Sequence, residues 1–565
     1  MTAVDTATLP RLTKAPKDRL VFVPLGGTGE IGMNLNVYGC QGRWLAVDMG
    51  VTFGDDQIPG VDVVMPDHSF LEENAADLAG IVITHAHEDH IGAVAYLWPD
   101  LRCPVYATPF AAEFLRHKLK EEGLDGEVPV HVVPLGGRVD IGPFNVEFVS
   151  FTHSIPEPNG LVIRTVHGNI YHTGDWKMDP EPMVGGTVDY ERLQAIGDEG
   201  ITACISDSTN ILNKGRSGSE GDVRRSLVDM LGRFDGRVAV CCFASNIARV
   251  ESIVKAARAN GRQVCLVGRS LWRMVDTARS TGYIGDIGPL LEADDAADLP
   301  ARQVLYLCTG SQGESRAAMA RIAWGHHPHV TLGRGDVVLF SSRVIPGNEK
   351  AIFRLQNRLV RSGVDVLTDR DAFIHVSGHP SQDEVGELYR LLRPTVVVPV
   401  HGERRHLQVH ADFALDHGAR KAVVLDNGQV LDLTSSDNPH VFASVPVGRL
   451  TLEGDRIVPM DSPVLRDRKK MMVNGAAVIT LVLDHKGQVL APPLVTTHGL
   501  FTPDDDDEPQ GIGLADAVTD AVGDLDPRDR RNDDTVREAV RRAVRRVMNQ
   551  DQGRKPLTDV HLVRL

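Results

Sequence analysis

The chain lacks any apolar run approaching the ~20 residues needed to cross a bilayer, which excludes a protein built on membrane-spanning helices. Nor is a secretory leader expected. The opening MTAVDTATLPRLTKAPKDRL has basic residues but no apolar stretch and no small-residue cleavage site, so residues 1–18 are expected to form a flexible tail and the location to be cytoplasmic. Paired cysteines are missing as well. Cys40, Cys103, Cys204, Cys241, Cys242, Cys265 and Cys308 form an odd set without CxxC spacing, mostly inside apolar runs such as RVAVCCF, and read as small buried hydrophobes. Positive charge is in deficit, with a formal net charge of −16, which argues against binding nucleic acid through overall basicity. That deficit leaves room for phosphate chemistry at a metal site, because divalent cations neutralise a phosphate locally and the acids that hold them add to the negative count.

What is present is ordinary globular material. With 42% hydrophobic and 24% charged residues over 565 positions, the chain can build at least two packed units, and three are expected. From Arg19 to Asp48 it reads as strand, Gly-rich turn, strand, strand. The turn GGTGEIG matches G-x-G-x-x-G through Gly27, Gly29 and Gly32, but the alternating MNLNVYG that follows predicts a strand. The helix N-terminus that would hold a pyrophosphate is absent, so a tight β-turn is the better reading. Short strands ending in His or Asp continue through TACISDST, as in a β-sandwich that presents polar residues along one edge.

Near residue 218 the pattern changes to apolar strands alternating with amphipathic helices, which predicts a parallel sheet covered on both faces. The chain then returns to the first style with VDVLTD, AFIHVSGHP, TVVVPVHGE and KAVVLDNGQVLDL, all read as strands, several of them tipped with histidine. The expected organisation is a first domain over 19–217 and 367–450, an α/β insertion over 218–366, a connector over 451–470 and a small α+β appendage over 471–565. Within the appendage, DDDDE at 504–508 reads as a solvated loop. TVREAVRRAVRRVMNQ reads as a helix with the apolar stripe Val536, Val540, Ala543 and Val547; its arginine face could track phosphates but is more simply solvated or paired with Asp533 and Asp534.

The chemistry concentrates in THAHEDHIGA. Residues two apart on an extended loop point the same way, so His85 and His87 can grip one metal while Asp89 and His90, on the following turn, grip a neighbour. Four such identities within six residues arise by chance about once in a thousand sequences of this length, so scattered core or surface histidines are a poor account of them. His153 and Asp175, each at a strand end, complete the set, with the carboxylate as bridge because it alone offers two ligating oxygens. His401, in VVPVHGE, supplies the last ligand of the second metal. Taken singly, His153 and Asp175 would pass for a hydrogen-bonded histidine and an ordinary turn aspartate.

The ordered array GGTGEIG, HAHEDH, His153 and TGDWK resembles the metallo-β-lactamase superfamily, while SDST with Asp207, HVSGHP with His379 and PVHGE with His401 resemble the extra motifs of its nucleic-acid-processing β-CASP branch. Over nearly all of the chain after residue 18, the pattern is similar to bacterial ribonuclease J. The resemblance implies an αββα sandwich with an inserted α/β β-CASP domain, and a ribonuclease active from RNA 5′ ends bearing a monophosphate and also at internal bonds. Histidine at position 401 is what RNA-cleaving members of the branch carry, which disfavours a DNA nuclease. The insertion and HVSGHP disfavour a small-substrate hydrolase, and the full ligand set disfavours a silent scaffold.

Five nitrogens and two carboxylates suit two Zn²⁺ ions, with Mn²⁺ the alternative. A metal pair about 3.5 to 4 Å apart can activate water for in-line attack on phosphorus. Asp48 is expected to orient a ligand histidine from behind, and Asp207 to do so for His379 or His401. The resemblance places His379 beside the scissile phosphate as proton donor to the leaving oxygen. His375 reads equally well as a packed strand histidine. Ser245 and Asn246 open a helix after a strand, where a phosphate can dock or where simple N-capping suffices. The resemblance favours a 5′-phosphate pocket of Ser245, Asn246, Ser377 and His379. It further implies single-stranded RNA as substrate, a homodimer or homotetramer, and membership of an RNA-degradation assembly.

Overall fold

The structure, a computed structural model, describes residues 9–54, 59–285, 287–345, 347–501 and 512–565. The loop 504–508 and the first eight residues of the expected tail lie outside the described residues. The chain divides into two units, one holding Met65–Gly448 with the chain up to Thr52, the other Phe53–Val64 with Arg449–Leu565.

In the larger unit, among the described residues, an eight-stranded sheet runs in the order His440–Ser444, Gln429–Asp432, Leu20–Gly26, Leu35–Cys40, Arg43–Val47, Leu78–Val82, Val105–Ala107, Val130–Val132. A seven-stranded sheet runs Arg138–Ile141, Phe144–Ser150, Asn159–Thr165, Gly168–His172, Ala203–Asp207, Val396–Val400, Lys421–Ala422. Phe22, Leu45 and Val82 from the first sheet and Phe148, Ile163, Ile205 and Val398 from the second share one buried core. Burying one face of each sheet against the other removes most of their apolar area from water, at roughly 25 cal/mol per Å². The outer face of the second sheet buries Tyr171, Cys204 and Val397 against Leu193 and Ile196 of the helix Tyr190–Glu199 and Leu388 and Tyr389 of the helix Gln382–Leu392. This is the expected two-sheet sandwich.

Between Asp207 and Val396 the chain leaves the second sheet and builds a five-stranded, wholly parallel sheet in the order Gln263–Val267, Val304–Cys308, Val238–Cys241, Val337–Phe340, Asp365–Leu367. Its strands are apolar on both faces because helices such as Ile247–Ala259 cover them. On its return the chain pairs Val396–Val400 in parallel beside Ala203–Asp207, so the insertion interrupts two neighbouring strands. The seven cysteines are buried and free, as expected.

Four local expectations differ from the structure. VDVLTD does not begin the return to the first domain: its strand Asp365–Leu367 pairs in parallel with Val337–Phe340 and forms the edge of the insertion's sheet. Residues 9–18 are not loose: Leu12 N–H donates to the Ser444 carbonyl at 2.9 Å, and Arg11 pairs with Glu73 at 2.9 Å. AFIHVSGH forms no strand, because the Ile374 carbonyl is taken by side chains and not by a neighbouring strand. Residues 451–470 are not a bare connector either. Arg449–Glu453 and Arg456–Pro459 make an antiparallel hairpin, followed by the helix Pro463–Asn474, whose proline takes a first-turn position where no N–H is needed.

In the smaller unit Ala476–Leu483 is the middle strand, antiparallel to Leu494–His498 and parallel to Leu557–Arg564. Ile479 and Leu481 pack against Val518 of the helix Ile512–Gly523 and Val536, Val540, Val544 and Met548 of the helix Asp533–Gln552. The buried stripe therefore runs through Val544 and Met548, and Val547 is only half-buried. On the other face Arg537 pairs with Asp534 and Arg542 with Glu538. Among the described residues no helix is long and apolar enough to cross a membrane.

Candidate metal centre

Adjacent parallel strands end at the same edge of a sheet, and this brings the polar residues together. In the first sheet Val47 is in register with Val82, so Asp48 and the segment beginning at Thr84 leave from one edge. In the second, Asp207 is in register with Val400, which sets Asp207 beside His401, and the neighbouring strand Gly168–His172 runs on to Asp175. His85 and His87 face each other as expected, His85 Nε2 lying 3.1 Å from His87 Nδ1, and His153 Nε2 lies 3.1 Å from the same atom. Asp89 and His90 sit on the one-turn helix Glu88–Ile91. Asp48 and His401 both hold left-handed backbone, at φ 62 and 52, a strained state for residues other than glycine that recurs at functional sites.

Two donor clusters match the expected ligand sets, beside a third of Asp175, Asp207, His379 and His401. His85, His87, His153 and Asp175 present ligand atoms within 4.8 Å of one another, and so do Asp89, His90, Asp175 and His401. Asp175 belongs to both. Its Oδ1 is buried and accepts no hydrogen bond, an expensive state for a carboxylate oxygen unless a cation meets it. The residues thus fit a pair of metal ions with Asp175 between them.

The outer ring nitrogens are already engaged, which aims the inner ones at the centre. His90 Nδ1 donates to Asp48 Oδ2 at 2.7 Å, which places Asp48 behind the candidate ligand His90. Asp48 also accepts from Thr84 N–H and Oγ1, both at 2.8 Å, and Thr84 Oγ1 meets His85 Nδ1 at 3.0 Å. His153 Nδ1 donates to the Gly378 carbonyl at 2.5 Å, and any Cβ on Gly378 would stand 2.7 Å from the His153 ring, so this close approach requires glycine.

Electrostatics divide the clusters. Burial, reinforced by neighbouring histidines, holds His85 and His87 well below the ordinary imidazole value and His153 down to about 3, leaving neutral nitrogens suited to ligation. Burial also works against charge on His90 and His401, but Asp175 and Asp89 at His90, and Asp175 and Asp207 at His401, outweigh it and raise both, the stronger effect falling on His90. Those carboxylates call for positive charge, which a divalent cation supplies. Asp175 itself is held well below the usual carboxylate range, since His401, His90 and His379 outweigh its burial.

His379 stands beside both clusters. Its Nδ1 lies 2.8 Å from Asp207 Oδ2 and 3.9 Å from Asp175 Oδ2, so Asp207 orients His379 and not His401. Burial lowers His379, but Asp207 and then Asp175 raise it to about 9.

The 5′-phosphate candidates fall on two segments. Asn246 caps the helix Ile247–Ala259, its side chain accepting from Arg249 N–H at 2.9 Å, and Ser245 directly precedes it. Ser377 shares a loop with His379 and accepts its N–H at 3.1 Å. His375 lies in that loop too, its Nδ1 3.4 Å from Arg249 Nη1.

Sequence reasoning missed Asn34. Its Nδ2 lies 3.1 Å from His90 Nε2 and 3.1 Å from His401 Nδ1 and donates to the Asp89 carbonyl at 3.1 Å. In MNLNVYG it looks like one polar position of an alternating strand, and nothing in its spacing marks it.

Sandwich, inserted parallel sheet and shared-carboxylate donor set define a hydrolase of the metallo-β-lactamase fold, β-CASP branch. Residues 57–190 match the Beta-lactamase superfamily domain, 235–359 the Ribonuclease J beta-CASP domain, 363–424 the Zn-dependent metallo-hydrolase RNA specificity domain and 463–565 the Ribonuclease J C-terminal domain. The chain is 44% identical to the Ribonuclease J of Sinorhizobium meliloti over 98% of both chains. It is 38% identical to Ribonuclease J 1 of Streptococcus pyogenes over 87% of this chain and 88% of the other. With the Thermus thermophilus Ribonuclease J it shares 36% over 82% of each. The protein belongs to the ribonuclease J family. A solved structure of a protein of unknown function from Enterococcus faecalis V583, 15% identical, superposes with a TM-score of 0.50 over 73% of this chain and all of the other, a likeness of fold alone.

Proposed function

We propose that this metal-dependent ribonuclease removes nucleotides from the 5′ end of single-stranded RNA, prefers a 5′-monophosphate, cuts internal bonds as well, and uses two zinc ions. The observation that carries the reading is the pair of donor clusters sharing Asp175, with His401 in the second. Five imidazoles and two carboxylates favour Zn²⁺, with Mn²⁺ the alternative. When bound, such a pair of ions neutralises the scissile phosphate and lowers the pKa of attacking water.

The chain's own groups do the rest. His85, His87 and His153 would hold one ion and Asp89, His90 and His401 the other, with Asp175 available to both. Asp48 keeps the Nδ1 proton on His90, so that Nε2 faces inward. Asp207 accepts the Nδ1 proton of His379, which leaves Nε2–H free to protonate the departing 3′ oxygen. Ser245, Asn246, Ser377 and His379 seat the 5′-terminal phosphate.

We assign the sandwich to residues 19–217, apart from Phe53–Val64, and 368–448, the β-CASP insertion to 218–367 and the appendage to 471–565. Likeness to the family supports the setting proposed with this activity: rRNA processing and mRNA decay in the cytoplasm, as a homodimer or homotetramer within an RNA-degradation assembly.

The test incubates metal-loaded protein with labelled 5′-monophosphorylated RNA, the matching DNA and a chromogenic lactam. Cleavage of the RNA alone is expected. Equal cleavage of DNA, or turnover of the lactam in place of RNA, contradicts the reading.

A further inference from the structure

Arg249 is buried and has no part in the chemistry above. It sits on the first turn of the helix capped by Asn246, and its guanidinium uses every nitrogen. Nε and Nη2 clamp the buried Glu220 carboxylate at 3.0 and 2.8 Å. Nη1 donates to the Ser341 carbonyl at 3.1 Å, to Ser341 Oγ at 2.7 Å and to the Ile374 carbonyl at 2.9 Å. Ser341 Oγ in turn donates to the Ile374 carbonyl at 2.6 Å. One planar fork therefore ties the segment carrying Ser245 and Asn246 to the loop that reaches Ser377 three residues after Ile374.

The chain of bonds continues inward. Glu220 N–H donates to Asp179 Oδ2 at 2.9 Å, and the same oxygen pairs with Lys177 Nζ at 2.9 Å. Lys177 N–H donates to the Thr152 carbonyl at 2.8 Å, and Thr152 Oγ1 returns a bond to the Lys177 carbonyl at 2.7 Å. Thr152 adjoins His153, and Lys177 lies two residues past Asp175. All five residues are buried. A buried ion pair is a poor source of net stability, since apolar groups of similar volume often serve as well; what a bidentate, multiply bonded arginine supplies is fixed geometry.

We propose that Arg249 is a positioning residue: it holds the two walls of the 5′-phosphate seat together and, through Glu220, Asp179 and Lys177, at a set distance from the metal ligands. The inference rests on the 5′-phosphate reading given above. It makes Arg249 a determinant of end recognition although it touches neither metal nor RNA. Lysine cannot replace it, having one nitrogen where three are in use.

The test compares wild type, Arg249→Lys and Ser341→Ala on one RNA carrying a 5′-monophosphate or a 5′-hydroxyl, and on a circular RNA of the same sequence, which has no end to seat. Melting temperature and bound metal are measured alongside. In Arg249→Lys the monophosphate-over-hydroxyl ratio of kcat/KM is expected to fall about tenfold or more, and in Ser341→Ala about threefold, each more than any loss on the circle. An equal loss on all three RNAs overturns the proposal, because it marks a residue needed only for folding. An unchanged ratio in a folded variant overturns it too. A wild type without the preference overturns the phosphate seat and this strut together, whereas a wild type with it and an indifferent Arg249→Lys overturns the strut alone. If Arg249→Lys is recovered unfolded, Ser341→Ala, which removes a single hydroxyl, decides by the same ratio.

Discussion

Asp175 is the one side chain common to both donor clusters, and its Oδ1 is buried without a hydrogen-bond partner. Asp175→Ala should therefore lose metal from both positions and abolish cleavage, and His87→Ala should lose it from one and also abolish cleavage. Metal analysis and an RNase assay on each variant check this; near-normal turnover in Asp175→Ala would sink the shared-carboxylate assignment. His379→Ala should retain metal yet lose about a hundredfold in rate, the usual worth of a positioned proton donor. Unchanged kinetics would remove it from the chemistry. Residues of HAHEDH were legible in the sequence because one short segment carries half of each cluster. Asn34 was not, since its partners lie 55 or more residues away and only the fold brings them together. Whether Asp207 serves His379 or His401 was equally undecidable until the fold set His379 Nδ1 2.8 Å from Asp207 Oδ2, since strand register alone puts Asp207 beside His401.

Among elements, strands with uniform apolar character and helices with a single apolar stripe could be read directly, because burial on two faces or one leaves its own period. AFIHVSGH misled because it alternates like a strand, yet side chains of the insertion take its carbonyl. The hairpin at 449–459 was hidden by short strands whose residues are mostly exposed or half-exposed. A different cluster ties the second sheet to its helix: Glu147 on Phe144–Ser150 meets Arg138, Arg164 and Arg192 at 2.7 to 2.8 Å. Burial raises the Glu147 carboxyl, but Arg192 and Arg164 outweigh it and hold it below the ordinary value. A carboxyl depressed on folding stabilises fully above its unfolded value, about 4.3, and that contribution is lost as pH falls through the lower folded value. Glu147→Gln should thus melt a few degrees below wild type at pH 7, with the gap closing below about pH 4. Melting curves against pH check it; a gap as wide at pH 3 as at pH 7 contradicts it.

For the whole molecule, the presence of an α/β insertion was legible because the strand-helix alternation begins and ends abruptly between histidine-tipped strands. Which strands it interrupts was not, since parallel pairing of Ala203–Asp207 with Val396–Val400 leaves no local trace. That pairing brings the donor clusters to one edge of the sandwich, and on the proposed reading the insertion supplies a wall for the RNA 5′ end. A seat closed around a terminal phosphate holds RNA by its 5′ end, and a triphosphate adds bulk and charge the seat cannot take. Each hydrogen bond to a charged phosphate oxygen is worth about 1.5 to 3 kcal/mol, so losing one costs roughly tenfold to a hundredfold. The most direct measurement is the degradation rate of one 3′-labelled RNA prepared with a 5′-monophosphate or a 5′-triphosphate. Shortening from the 5′ end, at least about tenfold faster for the monophosphate, is the predicted result; equal rates for the two RNAs, or loss beginning at the 3′ end, would contradict the account.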